Sequence, residues 1–155
     1  MTPTSQERLE SHAGLYHALQ LPQFTTTVDL AAYLRQLCWS ISRSSLEGEG
    51  VALSLLLHPL IMSSERCWLL GMIVFGLVTS AARHVSHDGA GAIRLEVWVT
   101  ARSVACAVTD NGMANDNRKR DRSTVEALVA RLNGTVDIYA GADGTRTVVT
   151  IPRQA

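Results

Sequence analysis

Leu70-Gly71-Met72-Ile73-Val74-Phe75-Gly76-Leu77-Val78-Thr79-Ser80-Ala81-Ala82-Arg83-His84 is an apolar run with two glycines inside it and a basic pair at its end. Between Arg66 and Arg83 it carries no charge for about 16 residues, short of the roughly 20 that span a bilayer. Gly71, Gly76, Thr79 and Ser80 interrupt it, so it reads as a buried core helix. Ser63 or Ser64, followed closely by Glu65, supplies the start signal, and His87-Asp88-Gly89 supplies the stop. A glycine inside a helix costs roughly 1 kcal/mol against alanine. Gly76 therefore does nothing for local stability, and its structural use is close packing.

Elements flank this helix on both sides. Ser5 to Gln20 carries Leu9, His12, Ala13, Tyr16 and Leu19 at helical spacing and is closed by Pro22. Asp29 caps a helix from Leu30 to about Ser42 with Leu30, Tyr33, Leu34, Leu37 and Ile41 on one face. Gly48-Glu49-Gly50 turns into a short apolar strand, Val51 to Leu57, stopped by His58-Pro59. Beyond the long helix, Ala92 to Thr100 alternates apolar and polar residues as a half-buried antiparallel strand does. Ser103 to Thr109 is a more apolar, more central strand, broken by Asp110-Asn111-Gly112. Met113 to Arg122 reads as a polar loop, and Ser123 as the cap of a helix running to about Leu132. Two strands, Thr135 to Tyr139 and Thr145 to Ile151, close the chain around the turn Gly141 to Gly144. Strands paired mainly as hairpins, with helices over one face, give an α+β sandwich.

Bulk composition limits the function. The 155 residues are 46% hydrophobic and 18% charged, with zero formal net charge, as expected of one globular domain. A pI of about 7.0 provides no basic footprint for nucleic acid. Cys38, Cys67 and Cys106 are isolated and lack ligand spacing, so they read as core residues of a reducing compartment. Met1 to Glu10 is polar and has no signal-peptide core. His17, His58 and His87 lack metal-ligand spacing. A soluble, cytoplasmic protein is expected, with no membrane and no nucleic acid among its partners.

From about His12 onward the chain resembles the catalytic, ATP-binding domain of bacterial sensor histidine kinases, in the superfamily of gyrase, Hsp90 and MutL. The resemblance is carried by the helix 70–84, by Val108-Thr109-Asp110-Asn111-Gly112 and by Gly144-Thr145-Arg146-Thr147-Val148-Val149-Thr150-Ile151-Pro152. His12-Ala13-Gly14-Leu15-Tyr16, followed by Val28 to Leu34, is similar to the junction between a dimerisation hairpin and the ATP-binding domain. The resemblance implies a two-layer α/β sandwich, with a mixed, mainly antiparallel sheet covered on one face. It also implies a helical segment at 1–22 that resembles the end of a dimerisation region, and an ATP-binding domain at 23–155. The phosphoacceptor histidine of the family lies before the junction, so self-phosphorylation within this polypeptide is not expected.

Carried over position by position, the family's site residues fall on Asp110 and Gly112, where adenine is met, and on Ser80, Arg83 and His84, near metal and phosphate. Ser80 replaces the asparagine that binds Mg²⁺; its hydroxyl can ligate the ion but is shorter. Gly76 replaces the glutamate that positions or activates the attacking group, and loss of a general base typically costs about 10²–10⁴ in rate. Ala114 stands where the second glycine of Asp-x-Gly-x-Gly belongs, and Lys119-Arg120-Asp121-Arg122 falls where a glycine-rich phosphate loop should be. ATP and Mg²⁺ are the cofactors that the resemblance implies, and these losses count against both. No catalytic residue is assigned.

The expected function is thus a degenerate histidine-kinase-type domain acting as a binding or regulatory module in two-component signalling. Its partner would be a response regulator or a sensor kinase, with homodimerisation through the N-terminal helix as an option. The alternative is a working ATP-dependent kinase or ATPase of the same superfamily.

Overall fold

The computed structural model describes residues 27–85, 89–112 and 116–153, with the backbone alone for 116–121. A three-residue ribbon comes first: β1 (Thr27–Asp29) pairs antiparallel with β3 (Ile61–Ser63). Sequence reading missed this ribbon, because three residues are too few to show a period. Its consequence is large. It sets two helix starts side by side, and both are capped as expected. Asp29 Oδ1 accepts from the Ala31 amide at 3.1 Å, opening α1 (Leu30–Ile41). Ser63 Oγ accepts from the Arg66 amide at 3.3 Å, opening α2 (Ser64–His84).

α1 runs on through a π turn, Ser42–Leu46, and a 3₁₀ turn, Glu47–Glu49. Gly50 ends them in the left-handed region at φ 70°, where glycine carries no Cβ penalty. The chain then enters β2 (Ala52–Leu57). α2 buries Cys67, Leu70, Ile73, Val74, Leu77, Val78 and Ala81. Its length and hydropathy would suit a membrane span, yet this stripe forms the centre of the core. The helix stops at His84, short of the expected His87. Residues 86–88 lie outside those described.

β4 (Ala92–Val99), β5 (Ser103–Asp110), β6 (Thr135–Gly141) and β7 (Gly144–Pro152) join β2 in one sheet of order β2-β4-β5-β7-β6. The two expected hairpins form, β4 with β5 and β6 with β7. β5 and β7 pair antiparallel in the centre, and β2 lies parallel to β4 at one edge. Among the described residues the helices cover one face, and the architecture is the expected two-layer α+β sandwich. On the other face Arg146 reaches from β7 to Glu96 (Nη1–Oε1 3.0 Å) and lies over the Trp98 ring.

One expectation fails. The stretch assigned to a polar loop is helical from Asp116, so the last helix, α3, spans Asp116–Arg131 and Ser123 lies inside it. Residues 116–122 contain no apolar side chain, so no hydrophobic period marks them. Their arginines and lysine are nevertheless good helix formers. Residues 113–115, including Ala114, lie outside those described. So do residues 1–26, and with them the N-terminal helix, His12, the boundary at residue 22 and the homodimer expected there.

Two glycines set the distances between helices. A Cβ on Gly71 would come 2.5 Å from Tyr33 Cε1 of α1. Gly71→Ala should gain about 1 kcal/mol of helix propensity but cost about 1–3 kcal/mol in overpacking. Urea unfolding should therefore show no gain and a net loss of up to about 2 kcal/mol, whereas the same change made in a Tyr33→Ala background should stabilise. The thiols offer a second check. Burial pushes Cys38, Cys67 and Cys106 up to about 12, with the Asp29 carboxylate adding to Cys67 and Cys38 adding to Cys106. A raised native value means that only the unfolded chain ionises above the usual thiol range. Stability should thus be complete below that range and fall as pH climbs toward about 12, and the native thiols should resist iodoacetamide until the protein is denatured.

Candidate functional site

The C-terminal end of β5 is built as a rigid turn. Asp110 sits between Ile93 of β4 and Thr145 of β7 and is only 5% exposed. Its Oδ1 accepts from the Gly112 amide at 2.8 Å, a turn that aspartate favours by chelating its own backbone two residues on. Buried Thr145 donates its hydroxyl to the Gly112 carbonyl at 3.4 Å. Asn111 ties the turn to the head of β4: its Nδ2 donates to Ala90 O at 2.7 Å and its Oδ1 accepts from Ala92 N at 3.1 Å. Gly144 lies against the far side at φ 145°, and any Cβ there would collide with the Asp110 carbonyl oxygen.

Asp110 and Gly112, both expected on the adenine side, are therefore joined directly. Thr145 and Asn111 complete the turn; sequence reading placed Asn111 in the Asp-Asn-Gly break but gave Thr145 no part in it. Thr145 is 33 residues from Gly112, so only the β5–β7 register reveals their contact.

Ser80, Arg83 and His84 occupy the last turns of α2, with Arg83 exposed and the other two half-buried. Thr79 Oγ1 bonds back to the Phe75 carbonyl at 2.7 Å, a local bond that keeps its hydroxyl on the helix. Arg83 lines an open cleft of about 540 Å³ with Ser45, Glu49, Thr79 and Ala82. That cleft lies between α2 and the turns after α1. Among the described residues no group of three or more His, Cys, Asp or Glu is placed to hold a metal.

One turn before Ser80, α3 closes on α2. A Cβ on Gly76 would come 2.9 Å from Val125 Cγ2. The position that would carry a general base is therefore the point where the two helices touch. Gly112 and Asp116 are joined by three residues only, a link that reaches at most about 14 Å when fully extended. From Arg120 onward the amides of α3 belong to its own i→i−4 ladder.

No family model matches the sequence, and no curated protein matches it by sequence. Solved structures do match. The histidine kinase domain of the Erythrobacter litoralis blue-light activated histidine kinase is 21% identical with a TM-score of 0.71, over 95% of this chain and 73% of that one. The mycobacterial sensor histidine kinase MprB is 15% identical with a TM-score of 0.64, over 81% and 95%. Full-length ShkA, solved with AMPPNP, is 16% identical with a TM-score of 0.67, over 96% of this chain and 36% of that one. The chain has the fold of the histidine kinase catalytic domain.

Proposed function

We propose that this domain has kept the histidine kinase fold without its phosphoryl chemistry, and serves as a cytoplasmic binding module in two-component signalling. Its partner on this reading is a response regulator or a sensor kinase. The contact of Gly76 with Val125 carries the reading. Position 76 has no side chain to move a proton, and a Cβ there would press on Val125 of the neighbouring helix.

Fit to ATP and Mg²⁺ divides the same way. Asp110 and Gly112 keep the turn expected to meet adenine. The phosphate and metal side does not fit: Ser80 is short, the link between Gly112 and α3 is three residues long, and helix replaces the loop that would cradle phosphates. A second reading, in which ATP is still bound, draws support from that preserved turn and from the likeness to ShkA, which was solved with AMPPNP.

Calorimetric titration with ATP and Mg²⁺ separates the two. The proposal expects no turnover and a dissociation constant weaker than about 1 mM. Sub-millimolar, Mg²⁺-dependent binding that Asp110→Ala abolishes would favour the second reading and end the first. Gly76→Glu, which restores an acid at the expected position, should generate no ATPase activity. It should also lower stability by about 1–3 kcal/mol through the clash with Val125, read by urea unfolding.

A further inference from the structure

Helix α1 turns one face to solvent that the core does not use. Arg35, Gln36 and Trp39 are exposed on it, and Arg43 continues the line onto the π turn. A spacing of four places Arg35, Trp39 and Arg43 in one row. Trp39 is 59% exposed, and the Arg43 guanidinium lies over its ring with Cζ 4.8 Å from the centroid. Tryptophan and arginine are the side chains that most often carry interface energy. Their stacking holds both in place before a partner arrives, which lowers the ordering cost of binding.

Charge selects the partner. The chain has no carboxylate between Asp29 and Glu47, and Asp29 Oδ1 is engaged in capping α1. The three positions of the row thus carry two cations and no anion, with exposed Glu47 following at its far end, in a chain of zero net charge. We propose that Arg35, Trp39 and Arg43 form a docking stripe for an acidic segment of a protein partner. Carboxylates of that segment pair with the two guanidinium groups, and one of its apolar side chains covers the indole. The inference rests on the domain being a binding module. Peptide binding is measured apart from nucleotide binding, so either can fail alone.

The test uses the full chain and a labelled peptide alternating glutamate and leucine, followed by fluorescence anisotropy. Saturable binding is expected. It should weaken by at least about tenfold in the Arg35→Glu/Arg43→Glu variant and in Trp39→Ala, as loss of an interface anchor requires, and should fall with added salt. Absence of binding, equal binding by the variants, or equal binding of a lysine-leucine peptide would overturn the proposal. So would a preference for anionic vesicles over the peptide. Acrylamide quenching gives an independent readout. Trp39→Phe should remove the most quenchable emission. If that emission is already shielded, or if Trp39→Ala halves the mass in solution, the stripe is covered by this chain or by a second copy and the proposal fails.

Discussion

Gly76 allows α3 to lie directly against α2, with Val125 Cγ2 2.9 Å from where a Cβ would stand. Much of the molecule depends on that approach. Val125, Val129 and Leu132 complete the core from the α3 side, and the chain then returns through β6 at the outer edge of the sheet. A larger residue at position 76 would push α3 outward and loosen this layer. The absence of a side chain at position 76 is therefore part of how α2 and α3 pack.

The Asp110 end of the candidate site is a braced turn. Asp110, Asn111 and Gly112 are held by Thr145, by the backbone at Ala90 and Ala92, and by the close approach of Gly144. A turn tied to three strands is rigid whether or not a ligand meets it.

Local signals were legible in the sequence; tertiary ones were not. The caps Asp29 and Ser63 were readable because a cap and its amide lie two or three residues apart. Alternation from Ala92 to Val99 identified β4, and the packing use of Gly76 followed from the cost of glycine in a helix. The β1–β3 ribbon was too short to leave a pattern. The helix at 116–122 had no apolar residue to set a phase. The parallel pairing of β2 with β4 and the bond from Thr145 to Gly112 join segments far apart in sequence, where local spacing is silent. Arg83 lines a cleft shared with Ser45 and Glu49, a neighbourhood that local spacing does not reveal.

On the proposed reading, the helix from Asp116 onward stands where a phosphate loop is expected. Amide hydrogen exchange across Arg120–Glu126, with and without ATP and Mg²⁺, tests it most directly. These amides should be protected in the unliganded chain and unchanged by nucleotide, as members of the α3 ladder. Rapid exchange without nucleotide, followed by protection when ATP and Mg²⁺ are added, would reveal a loop that orders around a triphosphate and would contradict the account.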